Sequence, residues 1–183
     1  KFAAQTAALP KGRFEKAVWV DFDHDYDLDL LLLGSRPVLL RNQGTAGFVD
    51  RTADFPFQPG EAIDAVPFRL MKDSKAIDVV VSYADHPGVI YRDDLAGHYS
   101  AEPVAALPAG ARGLRVSDVN HDGWLDVVFH SGGILNREGK FVAGQGSDAL
   151  MSVEADFDGD GRGDSASVAG SGAVVTRLNR SEG

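Results

Sequence analysis

The chain has 183 residues, 44% of them apolar, and carries a net charge of −9 at pH 7. This length predicts one domain, no apolar run is long enough for a membrane-spanning helix, and no polybasic run favours nucleic acid as a ligand. Cysteine is absent, which neither indicates nor excludes secretion. The 21 glycines and the scarcity of long helical periodicities predict short strands joined by turns.

Three acidic loops of one pattern occur along the chain: loop 1 (21–29), loop 2 (118–126) and loop 3 (156–164). Each has Asp or Asn at loop positions 1, 3, 5 and 9, a spacing by which a short loop gathers oxygen atoms around a hard cation. We predict three calcium sites, because Ca²⁺ takes oxygen ligands in irregular geometry. Position 7 is expected to contribute its backbone carbonyl, so its side chain is free to vary. The predicted ligands are Asp21, Asp23, Asp25, Asp27 and Asp29 in loop 1, Asp118, Asn120, Asp122, Trp124 and Asp126 in loop 2, and Asp156, Asp158, Asp160, Arg162 and Asp164 in loop 3.

Asp-rich stretches are also typical of solvated turns, but such turns have no reason to repeat one spacing three times between apolar segments. An EF-hand is excluded, because it needs Glu at position 12 and a helix beyond it. Position 12 is Leu32, Phe129 or Ser167 here, within the runs DLLLL, DVVF and DSASV. Such runs, bounded by Gly and Ser, predict buried strands. The loops are therefore expected to be hairpin connections.

The repeat extends beyond the acidic loops. Each unit continues with a third strand, such as PVLLRN or GVIYRD, a polar turn, and a fourth strand, such as GFVDRTA or GHYSAEP. Four short strands per unit predict the blades of a β-propeller. The units are expected at roughly 11–55, 60–106, 111–147 and 148–183 of a single domain, 1–183. The last unit lacks its fourth strand, which residues 1–10 are expected to supply when the ring closes.

The second unit keeps the position 9 aspartate, Asp78, but has lost the acidic loop. Leu70, Lys72 and Ser74 stand at its positions 1, 3 and 5. This loop is expected to hold no metal, with Lys72 or Lys75 in place of the cation.

These units resemble FG-GAP or VCBS repeats, the calcium-loop propeller blades of integrin heads and of many secreted bacterial proteins. The likeness rests on DGDGRGD, NHDGWLDVV and the stretch from LDLLLLG through LLRNQGTAGFVDRTA, which is most similar to the bacterial branch found beside an ASPIC/UnbV domain. It covers nearly the whole chain and implies an all-β propeller of four-stranded antiparallel blades, either four alone or part of a seven- or eight-bladed ring. Loop 1 departs from the family pattern, because Tyr26 stands where the family has Gly. A positive φ there is expected to cost on the order of 1 kcal/mol.

The expected function is that of a calcium-stabilised binding or scaffold module with a protein or glycan partner. Self-association, or association with the rest of a larger propeller, is open. The alternative is a lectin-like propeller or the non-catalytic part of a polysaccharide-degrading enzyme. A lectin-like propeller would be favoured if Tyr83, Tyr91 and Tyr99 were exposed on one face. No catalytic constellation is visible, since every well-spaced pair of carboxylates belongs to an acidic loop. Affinities near roughly 10⁻⁴ to 10⁻³ M predict an extracellular, cell-surface or periplasmic location.

Three further features have two interpretations each. The RGDS at 162–165 resembles a cell-adhesion motif, but Asp164 is a predicted ligand whose carboxylate faces the metal. His24 and His121 share loop position 4 and are expected to be solvated loop residues rather than catalytic bases. Trp124 is expected to pack, or to stack on a sugar.

Overall fold

The computed structural model describes residues 9–120, 122–144, 149–169 and 171–180. These ranges contain strands and two short 3₁₀ helices, Gly44–Ala46 and Thr52–Asp54. The strands are β1 (Phe14–Val20), β2 (Asp29–Gly34), β3 (Val38–Asn42), β4 (Phe48–Asp50), β5 (Ala62–Phe68), β6 (Asp78–Tyr83), β7 (Gly88–Asp93), β8 (Tyr99–Val104), β9 (Arg115–Ser117), β10 (Asp126–Phe129), β11 (Gly132–Arg137), β12 (Lys140–Ala143), β13 (Ala149–Ala155), β14 (Asp164–Ala169) and β15 (Val174–Arg177).

The strands form four antiparallel sheets, each built from consecutive strands in chain order. Sheet 1 contains β1 to β4, sheet 2 contains β5 to β8, sheet 3 contains β9 to β12, and sheet 4 contains β13 to β15. Every neighbouring pair is joined by a turn or a short loop, which is the simplest way to connect antiparallel strands. The all-β, antiparallel class predicted from the sequence is therefore confirmed, with four strands in each of the first three sheets.

The second strand of each of the first three sheets is buried along its whole length. β2 (DLLLLG), β6 (DVVVSY) and β10 (DVVF) have no exposed residue. The sequence of a strand is a continuous run of apolar residues when both faces of its sheet are covered. Alternate residues of β6 accordingly enter different cores, with Val79 and Val81 in one and Val80 in the other.

The first three sheets pack face to face through these cores. Sheets 1 and 2 share a cluster in which Phe22 and Phe55 lie against Tyr91 and Tyr99 of the second sheet. Sheets 2 and 3 share another, in which Phe68 packs on Phe141. Between sheets 2 and 3, this packing places the hairpin loop that contains Lys72 beside loop 2.

Sheet 4 is the most exposed of the four. Val174 and Val175 on β15 are 70% and 40% exposed, whereas β7 at the corresponding place in sheet 2 is buried at nearly every residue. Its described part has three strands, and the strand expected from residues 1–10 falls almost entirely outside the described residues. In the ranges that the structure describes, no helix has the length and apolar character needed to cross a membrane.

Candidate metal-binding loops

Each acidic loop joins the first and second strands of its sheet. Loop 1 lies between β1 and β2, loop 2 between β9 and β10, and loop 3 between β13 and β14. The strand pairing beside each loop ends where the residue before the loop pairs with the last loop residue: Val20 pairs with Asp29, Ser117 with Asp126 and Ala155 with Asp164. The first and last predicted ligands of a loop are thereby brought to one end of a hairpin, as the sequence predicted.

The three loops share one hydrogen-bond pattern. The carboxylate at position 1 accepts the backbone N–H groups of positions 5 and 6, and the carboxylate at position 5 accepts that of position 7. These bonds are Asp25 N to Asp21 Oδ1 (3.1 Å), Tyr26 N to Asp21 Oδ2 (3.2 Å) and Asp27 N to Asp25 Oδ1 (2.9 Å) in loop 1; Asp122 N to Asp118 Oδ1 (3.2 Å), Gly123 N to Asp118 Oδ2 (2.8 Å) and Trp124 N to Asp122 Oδ1 (2.8 Å) in loop 2; and Asp160 N to Asp156 Oδ1 (3.1 Å), Gly161 N to Asp156 Oδ2 (2.8 Å) and Arg162 N to Asp160 Oδ1 (2.9 Å) in loop 3. The three loops therefore follow the same backbone path although their sequences differ.

This path requires the left-handed region at position 6. The φ angles there are 72° at Tyr26, 79° at Gly123 and 84° at Gly161. The positive φ expected at Tyr26 from the sequence is confirmed, and its side chain is 95% exposed, so no burial offsets the strain.

Replacing Tyr26 by Gly is therefore expected to stabilise the fold by about 1 kcal/mol, because glycine adopts positive φ without a Cβ clash. Chemical denaturation of the two proteins in EDTA measures the difference. Leu28→Gly is the matched control, since Leu28 is also an exposed residue of loop 1 but does not have positive φ. That variant should lose stability, and an equal gain in both would contradict the strain at Tyr26.

A buried aspartate closes the loop in all four sheets. The backbone N–H of the second loop residue donates to its Oδ2, and an N–H at the end of the third strand donates to its Oδ1. We call Asp29, Asp78, Asp126 and Asp164 the closing aspartates; their exposures are 0%, 4%, 0% and 1%. The bonds come from Phe22 and Asn42, Leu70 and Asp93, Val119 and Asn136, and Phe157 and Asn179, with lengths from 2.7 to 3.2 Å. The sequence predicted Asp29, Asp126 and Asp164 as ligands only, and missed this second role. The retention of Asp78 in the unit without an acidic loop was the signal for it.

Burial disfavours the ionised form of three closing aspartates. Desolvation raises the pKa of Asp29, Asp78 and Asp126 above the ordinary aspartate value, although the two backbone N–H donors lower each of them. In contrast, the Asn179 N–H lowers the pKa of Asp164. Positive charge nearby would stabilise the ionised form of these buried carboxylates.

Loops 1 and 3 each gather three carboxylates closely enough for one cation. One oxygen from each of Asp21, Asp23 and Asp29 lies within 4.8 Å of the others, and the same is true of Asp156, Asp158 and Asp164. Oxygen ligands on opposite sides of Ca²⁺ are separated by about twice its bond length of roughly 2.4 Å, or about 4.8 Å. Both groups therefore fit a calcium ion. Position 5 (Asp25 and Asp160) belongs to neither group, although it was predicted to supply a ligand.

Loop 1 also contains an orphaned acceptor. Asp23 Oδ1 is buried and accepts no hydrogen bond from any described residue. The other oxygen of Asp23 lies 2.5 Å from Nε of Arg41, and Nη2 of the same guanidinium donates to Asp25 Oδ2 at 2.9 Å. A buried carboxylate oxygen without a partner is costly, so loop 1 offers both a free ligand atom and a neighbouring cation of its own. Arg41 was not predicted from the sequence as part of this site.

Loop 2 differs, because its third position is Asn120 rather than Asp. Asn120 Nδ2 donates to Asp122 Oδ2 at 3.0 Å, and Asn120 Oδ1 accepts the Asp122 N–H at 3.1 Å. Among the described residues, the carboxylates of Asp118, Asp122 and Asp126 do not form a group of three like those of the other loops. Loop 2 consequently has the backbone of the other loops and one carboxylate fewer.

The second unit departs from the sequence prediction in register. Leu70 donates its N–H to Asp78 as Phe22 does to Asp29, so Leu70 corresponds to position 2. Position 1 is therefore the exposed Arg69, and the loop is one residue longer than the acidic loops. The prediction that Leu70 stands at position 1 was wrong. Phe22 at position 2 of loop 1 is buried in the first core, and Leu70 is buried in the second core.

Lys72 was expected to take the place of the metal ion within its own loop, but it does not. Its Nζ donates to the Asp122 carbonyl of loop 2 at 3.3 Å and lies 4.5 Å from the centroid of the Trp124 ring. A lysine over an indole is a favourable cation–π contact. The second unit therefore contributes a positive charge to the loop of the third.

His24 is not a solvated loop residue. Its Nε2 lies 2.8 Å from Oδ2 of Asp93, whose carboxylate is fully buried and also accepts the Ile77 N–H. This contact joins loop 1 to sheet 2. The corresponding residue of loop 2, His121, lies outside the described residues.

Two other expectations are settled by burial. Tyr83, Tyr91 and Tyr99 are 0%, 0% and 8% exposed, so they cannot form an aromatic surface for a sugar. Tyr83 and Tyr91 instead pair through their hydroxyl groups at 2.5 Å inside the first core. Asp164 of the RGDS sequence is buried and hydrogen-bonded, and it is therefore not presented for adhesion.

No protein-family model matches this chain, and no curated protein matches it either.

Proposed function

We propose that this chain is a calcium-binding, calcium-stabilised β-propeller module of the FG-GAP/VCBS kind that acts as a binding or scaffold unit. The observation that carries the proposal is the repetition of one loop geometry at one place in three sheets. A solvated turn needs no such repetition, whereas a recurring ligand does. Two of the three loops hold carboxylates at a spacing that suits one calcium ion.

The electrostatics of the loops support a resident cation. Three carboxylates within 4.8 Å of one another repel, and the closing aspartate of each group is almost fully buried. Such an arrangement is stable when positive charge is supplied, so the binding free energy of the ion becomes part of the folding free energy. Oxygen-only ligands in an irregular loop suit calcium better than magnesium, which demands near-octahedral geometry.

Each sheet would be one blade of the propeller. Face-to-face stacking of consecutive sheets, with short antiparallel strands in chain order, is the arrangement of propeller blades. The four sheets would form a ring alone, with a second copy, or with further blades of a seven- or eight-bladed ring. The exposed apolar residues of sheet 4 support a neighbour on that side.

The proposed location is extracellular, cell-surface or periplasmic. Loops without a bidentate Glu at position 12 would bind with a Kd near roughly 10⁻⁴ to 10⁻³ M, the range of extracellular calcium modules. Sites of that affinity fill only where calcium is abundant.

A lectin-like function is the second candidate, and one surface feature favours it. A cleft beside loop 2 of about 340 Å³ is lined by Asp122, Trp124, Arg137 and Glu138. An indole beside charged hydrogen-bonding groups could stack on and orient a sugar ring. The partner would then be a glycan rather than a protein.

Asp158→Ala is the test of the metal sites. The variant removes one carboxylate of the loop 3 group but only one hydrogen bond, from the Asp160 N–H at 3.3 Å. We expect calcium binding at loop 3 to weaken at least about tenfold, with the other sites still filled, because a ligand charge is lost. Calorimetric titration gives the number of sites and their affinities.

Asp73→Ala is the matched control, because it removes an exposed carboxylate from the loop of the second unit. Its calcium titration should equal that of the unmodified chain. Identical titrations for both variants would exclude loop 3 as a calcium site.

A further inference from the structure

Arg41 distinguishes loop 1 from the other two acidic loops. Its guanidinium forms ion pairs with Asp23 and Asp25, at 2.5 and 2.9 Å, and its side chain is 28% exposed. These partners are at positions 3 and 5 of the loop. A positive charge is therefore already present where the second and third acidic side chains of loop 1 converge.

The positive charges beside the other acidic loops contact different atoms. In loop 3, Arg162 Nη1 lies 3.8 Å from Asp160 Oδ2, and Asp160 is outside the group of three carboxylates. In loop 2, Lys72 Nζ donates to the Asp122 carbonyl.

Asn42, Asn136 and Asn179 occupy one structural position, since each donates its backbone N–H to a closing aspartate. The residue before it is Arg41 in sheet 1, but Leu135 in sheet 3 and Leu178 in sheet 4. An arginine at this position beside an acidic loop is thus found in sheet 1 but not in sheets 3 and 4.

Arg92 has the corresponding place in sheet 2, where the loop is not acidic. Its guanidinium turns elsewhere, with Nε 3.2 Å from Glu102 Oε2 and Nη2 donating to the Gly139 carbonyl at 2.8 Å. An arginine at this position therefore contacts the loop only where carboxylates are present to attract it.

The carboxylate group of loop 1 remains incompletely neutralised. Asp23 Oδ1 is buried without a hydrogen bond from the described residues, and the described ion pairs of Arg41 do not include Asp21 or Asp29. Arg41 pairs with Asp23 and Asp25, whereas the oxygens suited to a metal come from Asp21, Asp23 and Asp29. Asp23 is common to both sets, so the guanidinium and a bound divalent cation would compete for it.

We propose that Arg41 is a built-in competitor for the cation of loop 1, so that loop 1 fills only at calcium concentrations well above those that fill loop 3. This inference rests on the proposed calcium-binding function. It adds the order in which the loops bind calcium, loop 3 before loop 1. Sheet 1 would therefore respond to changes in calcium concentration in a range in which loop 3 is already saturated. The contact between His24 and Asp93 would pass that response to sheet 2, since it joins loop 1 to a buried carboxylate there.

The test is Arg41→Leu, which gives loop 1 the residue found in sheets 3 and 4. Calcium titration by calorimetry should reveal a site whose Kd falls at least about tenfold in the variant, because a like charge beside the cation has been removed. The remaining affinities should be unchanged. Arg41→Gln should shift the same site in the same direction, which covers the case in which leucine disturbs folding.

Arg92→Leu is the matched control, because it removes an arginine at the same structural position beside a loop without acidic ligands. It should leave every calcium affinity unaltered. Adding Asp23→Asn to Arg41→Leu should abolish the gain, which assigns the gain to loop 1 by a double-mutant cycle.

Two results would overturn the inference while leaving the calcium function intact. One is unchanged affinity at all sites in Arg41→Leu and Arg41→Gln. The other is weaker binding at one site, which would make Arg41 a residue that positions Asp23 for the metal. Absence of calcium binding in every protein would instead refute the proposed function itself.

Discussion

Addition of calcium to the metal-free chain is expected to raise its melting temperature by about 10–20 °C at saturation. Each site filled to about 100 times its Kd adds about 2.7 kcal/mol to the free energy of unfolding. Two filled loops therefore add about 5 kcal/mol, and a chain of this size gains about 2–4 °C per kcal/mol. The measurement is a thermal melt in EDTA, followed by calcium titrated back in excess.

Sodium chloride of equal ionic strength is the first control, because it screens the carboxylates without binding between them. Magnesium is the second, and should produce a smaller rise because it needs a more regular ligand geometry. A calcium melt that matches the sodium melt would show that the acidic loops are solvated turns. The proposed function would then fail.

Asp78→Ala is expected to lower the free energy of unfolding by about 3 kcal/mol, by the same amount in calcium and in EDTA. The substitution leaves two buried N–H groups, those of Leu70 and Asp93, without their acceptor, and each unsatisfied donor costs about 1–3 kcal/mol. No calcium dependence is expected, because the described residues around Asp78 include no group of carboxylates like those of loops 1 and 3. Urea denaturation in both buffers gives the two values.

Asp78→Asn is the conservative comparison, since it keeps one oxygen acceptor and turns an amide donor toward the other N–H. It should lose less stability than the alanine variant. Asp164→Ala should lose a similar amount in EDTA and more in calcium, since Asp164 also belongs to the loop 3 group. A calcium-dependent loss for Asp78→Ala would contradict its purely structural role.

Local periodicity made much of this molecule predictable. The runs LLLL, VVV and DVVF identified strands that are indeed buried, because a strand with both faces covered needs apolar residues throughout. The spacing of acidic residues identified the hairpin loops, and the unfavourable backbone at Tyr26 followed from the repeat pattern that the loops resemble, which has Gly at that position. These features depend on residues within about ten positions of one another, which a sequence pattern records.

Contacts between distant units were not predictable in this way. Arg41 pairs with Asp23 across a hairpin, His24 with Asp93 between sheets, and Lys72 with loop 2 of the third unit. A charged side chain has several possible partners at such distances in the chain, and stacking of the sheets selects one. The same stacking buried Tyr83, Tyr91 and Tyr99, which the sequence left open as surface residues.

The sequence by itself determined the antiparallel sheets and the acidic loops between their strands, because strand period and loop spacing are local properties. Only the tertiary structure decided which carboxylates converge, which closing aspartates are buried, and that Arg41 pairs with Asp23 of the loop 1 group. Those outcomes depend on the register between strands and on the packing of one sheet against the next. Both are set by the burial of side chains that are far apart in the chain.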